Sequence, residues 1–481
     1  MLPMMREGLT PPMDSVPLPV ERRHLGVLTS LSAAVLLAFV ALATWLHATG
    51  SPVADVVEPA RALAVVVGRS LDLDDGIDGA PEWERRVYRS LLGSRADDLA
   101  DALRWYEELE GESLEPSVDL HLAILEGEAG RAERLRGRFD EWTRRGEPFG
   151  TFRHLVALAY LSVGPGGADA TGLVAQADAH LEPGWFRDRL VARLTRAEAP
   201  NPRAGPLLVR LRVITLVEVA ILALALVTLA WWARHPGERS DVAPLPPPWP
   251  GRTGVDVLLR GGALWALLLA ALFLGAALLP GEPAHPYVRV VVGTATTLAL
   301  LPVILMAWWW LLRPSGLGIV GGFGLALTRS GARGLLRVAL VLVAAGQLGD
   351  SMVGAAGRAL GISSHWAEWF DRDLVWGAWP VVLVTLVDTV VLTPVFEELV
   401  FRGLLFGTLR RGLGPAAAAL VSAVVFAVAH GYGVLGFAAV FVSGVLWAWA
   451  YERTGSLVPS ITAHAVDNLS AALTVLVVLR A

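Results

Sequence analysis

Apolar runs of about twenty residues recur along this chain, and no other feature constrains its fold as strongly. Inside a bilayer, backbone N–H and C=O groups find no water. Only helices and closed barrels satisfy them there. A helix needs roughly 20 apolar residues to cross. Nine segments meet or approach that length: 25–47, 211–232, 255–279, 287–312, 337–357, 379–411, 415–431, 433–451 and 456–478. Charged residues make up 18% of the chain, below the roughly 25% of soluble domains. The expected fold class is therefore all-α. It is a polytopic membrane helix bundle of about nine spans, with a soluble α-helical domain inserted after the first.

Residues 1–24 read as a cytoplasmic tail ending in Arg22-Arg23-His24. In the first span, 25–47, Ala41-Leu42-Ala43 resembles a signal-peptide cleavage site. The run is longer than the 7–15 residues of a signal peptide's apolar core, which favours an uncleaved span. Residues 50–205 change character, with charges throughout and apolar residues at helical spacing: Leu99, Leu103, Tyr106, Leu109. Turn signals such as Gly127-Glu128-Ala129-Gly130 divide this stretch into helical hairpins resembling tetratricopeptide repeats. No 34-residue period supports the repeat itself. A binding or spacer module, able to take a protein partner, is the plainer reading. After the span 211–232, residues 233–254 contain Pro244-Leu245-Pro246-Pro247-Pro248 and read as a semi-rigid linker. Residues 255–478 hold the remaining spans.

Nine crossings from a cytoplasmic N-terminus put Arg22, Arg23, Arg234, Arg313, Arg329, Arg333, Arg410, Arg411 and Arg453 inside, as the positive-inside rule requires. Residues 50–205 then lie outside, which suits a bacterial plasma membrane. The chain has no cysteine, which removes disulfides and thiolate chemistry. A net charge of −5 carries no nucleic-acid signal. Gly316-Leu317-Gly318-Ile319-Val320-Gly321 matches a dinucleotide fingerprint formally. It follows a span, not a strand, and position 341 is Val341, not an acid. An interfacial or re-entrant turn fits it better.

Ionisable groups interrupt three of the last spans. Pro394-Val395-Phe396-Glu397-Glu398-Leu399-Val400-Phe401-Arg402 places two carboxylates and an arginine at membrane depth. Such residues cost at least a few kcal/mol in lipid and usually face a bundle interior. Glu398 and Arg402 are four apart and can pair on one helix face. Glu397 points about 100° away and stays free. Pro394 is expected to kink this helix. Phe426 and His430 form a second pair at the same spacing, and His464 and Asn468 a third, with Asp467 on another face. Glu397, His430 and His464 follow at intervals of 33 (430 − 397) and 34 (464 − 430), so antiparallel helices bring them to similar depth. The chemistry suits water activation. A glutamate can act as general base. Two imidazoles can bind a divalent metal such as zinc together with it, or orient the water directly. Asn468 can donate to a developing oxyanion.

Glu397-Glu398-x-x-x-Arg402, Phe426-x-x-x-His430 and His464-x-x-x-Asn468 resemble the three motifs of the CPBP intramembrane proteases, also called the CAAX protease or abortive-infection family. The resemblance covers about 380–478, with looser similarity from about 255, and leaves 1–250 as an addition. It implies an endopeptidase acting on a membrane protein or peptide. It places Glu397, His430, His464 and Asn468 in the hydrolytic centre, with Glu398, Arg402 and Phe426 supporting them. Family members are often described as metalloproteases, and a metal at Glu397, His430 and His464 and a metal-free mechanism both remain open. Two rival functions are a catalytically silent scaffold or regulator of the same family and an ion-coupled transporter. The transporter would predict internal repeats among the spans, and none is visible.

Overall fold

The computed structural model describes residues 26–53, 56–162, 170–197, 200–235, 249–278, 286–325 and 331–480. The expected tail 1–24 and most of the Pro-rich linker lie outside them. The described residues form helices and connecting turns without strands. Eight helices are long and apolar enough to cross a membrane: Val27–Thr49, Ala204–Arg234, Gly251–Ala276, Pro286–Ser315, Gly331–Leu360, Trp379–Leu409, Val434–Thr454 and Val458–Val478. A ninth apolar helix, Pro415–Ala429, is shorter. Every span expected from the sequence is therefore a helix. Gln347 and Asp350 do not interrupt Gly331–Leu360, which extends beyond the expected 337–357 at both ends.

Between the first two spans lie Pro59–Asp78, Glu82–Leu92, Arg95–Glu112, Pro116–Glu128, Ala132–Arg145, Phe149–Val156, Ala170–His180 and Trp185–Thr195. Local chemistry sets their starts. Proline occupies the first turn of two of them, where its missing N–H costs nothing. Ser94 caps Arg95–Glu112 by accepting from the Asp97 N–H, and the Asp97 carboxylate accepts from the Ser94 N–H at 3.0 Å. Leu103, Tyr106 and Leu109 turn inward as their spacing predicts. Pro116–Glu128 has no polar face, because Val118 through Glu126 are all buried among neighbouring helices. Its Glu126 is neutralised by Arg138 at 3.1 Å.

The core of this domain is continuous with the rim of the membrane bundle. Leu63, Leu103, Tyr106, Leu125 and Trp142 belong to the same apolar cluster as Trp366, Leu374, Val375, Ala472 and Leu479. Polar contacts reinforce the seam. Arg372 donates to Glu58 at 2.9 Å, Ser363 to Asp101 at 3.2 Å, and Arg210 to the Val477 carbonyl at 2.8 Å. His365 meets Glu108 at 3.1 Å. The domain thus sits on the end of the bundle formed by residues 358–376 and the end of the last helix.

The opposite end carries the arginines. Arg410 grips Glu452 at 2.9 Å, and Arg411 lies over the Trp249 ring at 5.5 Å. The Gly316–Gly321 stretch begins in a 3-10 turn, Arg313–Ser315, and runs into the single-turn helix Ile319–Gly322. A helix precedes it, so it has no nucleotide-binding context. Just beyond it, Gly324 holds φ +66, and a Cβ there would meet the Gly455 carbonyl at 2.3 Å. Only glycine permits that approach, which the Leu457 N–H to Gly324 carbonyl bond closes at 2.9 Å.

Candidate active site

Pro394 shapes the helix that carries the acidic pair through the wide turn that precedes it. The chain runs as α-helix through Trp379–Val387, widens to a π turn over Asp388–Leu392, and returns to α over Thr393–Glu398. It widens again over Leu399–Phe406. Proline has no N–H, and its ring crowds the carbonyl four residues back. The wide turn before it relieves that crowding. There, the Thr393 N–H bonds the Asp388 carbonyl. The donor that would continue this register to Thr389 is the missing N–H of Pro394. Asn468 supplies a substitute, donating from Nδ2 to the Thr389 carbonyl at 2.8 Å. Its side chain thereby ties the last helix to the helix bearing Glu397.

Glu398 and Arg402 pair as their spacing predicts, at 2.7 Å, both with 0% side-chain exposure. The guanidinium also stacks over Phe426 at 4.0 Å and Trp447 at 4.9 Å. Those aromatic faces flank the cation on its remaining sides. The same Glu398 oxygen accepts from His464 Nδ1 at 3.2 Å. Trp447 stacks on the His464 ring, centroids 4.2 Å apart and planes 20° apart. Sequence reasoning missed Trp447, since it has no polar partner at helical spacing to mark it.

His430 ends the short helix Pro415–Ala429, and its Nδ1 faces the Phe426 carbonyl at 2.8 Å. A carbonyl only accepts, so that nitrogen carries the proton. The Glu398 carboxylate assigns the His464 tautomer in the same way. Each imidazole therefore turns its Nε2 toward the centre. Both face one atom, Glu397 Oε2, at 4.0 Å from His430 and 3.7 Å from His464. That oxygen is buried and makes no direct hydrogen bond. With both rings neutral, these are three acceptors without a donor, an arrangement that a water with two O–H groups can satisfy. The remaining site candidates fall around this centre: Phe426 packs edge-on against His430 and His464, and Asn468 is engaged with Thr389.

The separations exceed the roughly 3.4 Å between ligands in a tetrahedral shell of 2.0–2.1 Å bonds. Among the described residues, no group of three or more His, Cys, Asp or Glu is gathered to hold a metal ion. As placed, Glu397, His430 and His464 are not drawn in to ligand distance of a common ion.

Glu368 lies beside the loop that leads from His430 into the next helix. A Cβ on Gly433 would come within 2.7 Å of its Oε1, so it sits directly against the turn that follows His430. Glu368 follows Trp366, which is fully buried in the cluster shared with the helical domain.

Fold and site together define a polytopic helical membrane protein with a glutamate and two histidines converging inside its bundle. Residues 378–470 match the family model of the type II CAAX prenyl endopeptidases, Rce1-like. That match is consistent with the CPBP family and supports a CAAX-protease-like function. The matched segment includes all three motifs. Neither the curated proteins nor the solved structures gave a match.

Proposed function

We propose that this chain is an intramembrane endopeptidase that hydrolyses a peptide bond of a membrane protein or peptide with a water activated by Glu397. The observation that carries the reading is the convergence of two imidazole Nε2 atoms on Glu397 Oε2. The water donates one hydrogen to Glu397 and the other to an imidazole. Its oxygen attacks the scissile carbonyl carbon as Glu397 takes a proton. The carbonyl π electrons move to oxygen. Asn468 keeps one N–H beyond its bond to Thr389, and that N–H donates to the oxyanion. Collapse expels the amine, which receives the proton held by Glu397. Glu398, Arg402 and Trp447 position His464. Phe426 positions His430.

The setting proposed is a bacterial plasma membrane, with Arg410, Arg411 and Arg453 on the cytoplasmic side and the helical domain outside. Glu397→Gln preserves shape and removes the proton acceptor. In purified protein with a reporter substrate, turnover should fall by at least roughly 10²-fold at unchanged melting temperature. Near-wild-type turnover would remove Glu397 from the role of base. It would favour a silent scaffold only if the wild type also failed to cleave.

A further inference from the structure

The seam between the helical domain and the bundle encloses a cavity of about 650 Å³. That is within the usual range for small-molecule sites. Ala60, Val65 and Trp185 line it from the domain side, and Val375, Trp376 and Leu479 from the ends of the membrane helices. Four arginines reach it: Arg61, Arg69, Arg203 and Arg480. Three of them are occupied. Arg203 holds Asp72 at 2.7 Å and Asp188 at 2.8 Å. Arg61 pairs with Glu58 at 3.2 Å and lies over the Trp376 ring at 4.7 Å. Arg480 donates to the Leu374 and Gly377 carbonyls at 2.9 and 2.8 Å.

Arg69 is different. Its side chain is only 19% exposed, and its nearest carboxylate, Asp72, is 4.0 Å away. Both Asp72 oxygens are already taken, by Arg203 and by Asn201. No hydrogen bond reaches the Arg69 guanidinium among the described residues. The other carboxylates of the cavity, Glu115 and Glu182, are exposed. Arg69 therefore has only a 4.0 Å ion pair with a carboxylate engaged elsewhere and no hydrogen-bond acceptor, a cost that an anion bound at hydrogen-bond distance would offset. Burial first, with Asp72 opposing it and Arg203 and Arg210 adding to it, holds its pKa below the usual arginine value.

We infer that this cavity binds a phosphate group, with Arg69 as its principal ligand. Arginine's planar fork suits phosphate oxygens. The apolar wall of Val375 and Leu479 continues into the ends of spans, so a lipid whose head group is phosphate could seat its head at Arg69 and its chains along the bundle. An occupant there would bridge the helical domain to residues 374–377, immediately ahead of the helix that carries Glu397.

The test uses full-length delipidated protein in neutral detergent. Three probes are titrated: dihexanoyl phosphatidylglycerol, dihexanoylglycerol lacking the phosphate, and inorganic phosphate. Wild type should bind the phospholipid at least about ten-fold tighter than dihexanoylglycerol. Arg69→Gln should lose that preference, by the worth of one charge-assisted hydrogen bond. Its unliganded melting temperature should be equal or higher, because a largely buried charge with no hydrogen-bond acceptor has gone. Arg69→Lys should keep part of the affinity. If inorganic phosphate alone shows the same dependence on Arg69, the site takes the free anion, and the inference stands in that form. Absence of binding by wild type, equal binding of the lipid without phosphate, or unchanged binding by Arg69→Gln would each overturn it.

Discussion

Charge is used in opposite ways in the two halves of this molecule. The helical domain is dense in ion pairs with several partners each: Arg138 meets Glu110, Asp119 and Glu126, and Glu128 meets Arg189 and Arg193. Among the described residues, the membrane bundle holds one pair with no side-chain exposure at all, Glu398 and Arg402. In the first group a second charged partner remains when one member is lost. Arg402 has no such second partner among the described residues. The same pairing chemistry is redundant in one region and irreplaceable in the other.

The sharpest way to break this contrast is Glu398→Ala. It strands Arg402 between two aromatic rings and frees His464 Nδ1. Breaking a buried pair costs about 3–5 kcal/mol. Folded yield and melting temperature in detergent should both drop. A variant as stable as wild type would show that the bundle admits water at Arg402.

Asn468→Ala comes next. It leaves the Thr389 carbonyl without a donor, which costs about 1–3 kcal/mol for a buried group. Stability and turnover should fall together, whereas a pure oxyanion donor would lower turnover alone. Thermal melts paired with reporter cleavage separate the two.

A smaller effect concerns the domain. Burial, and then the neighbouring Asp74, raise the pKa of Asp98 to about 7, with Arg89 opposing and Asp101 adding to the rise. The fold therefore favours the neutral acid. That stability is fully present below about pH 4 and is lost as pH rises through about 7. Hydrogen exchange in Arg95–Glu112 should accelerate from pH 5 to pH 8 beyond the intrinsic rate change. Asp98→Asn should flatten the trend.

The smallest effect is expected at Arg86, paired with Glu82 at 2.9 Å with side chains 76% and 55% exposed. Arg86→Ala should shift stability by no more than about 0.5 kcal/mol in a denaturant melt. A loss comparable to that of Glu398→Ala would erase the distinction between the regions.

Much of this was legible in the sequence, for reasons that differ by residue. Helices follow from apolar runs because lipid permits little else. The Glu398–Arg402 pair follows from a spacing of four. The depth match of Glu397, His430 and His464 follows from nearly equal intervals. Trp447 was not legible, because its contact with His464 comes from helix packing and not from spacing along one helix. The Asn468–Thr389 bond was hidden too, although Pro394, five residues after Thr389, was a usable signal of a carbonyl in need of a donor. The union of the domain core with Trp366 and Leu479 also joins residues far apart in sequence.

The wide turns Asp388–Leu392 and Leu399–Phe406 make chain length itself a variable. Each i→i+5 turn accommodates an extra residue without breaking the helix. Removing one residue from either turn would restore α register and leave hydropathy and span length almost unchanged. It would also rotate one half of the helix against the other by about 100°. In Leu399–Phe406, such a loss would swing the acidic pair away from Arg402 and the imidazoles, or the far half away from the bundle. Insertion and deletion within this helix therefore act as rotations, and two chains of equal hydrophobic profile but different count here would present different faces to the same cavity.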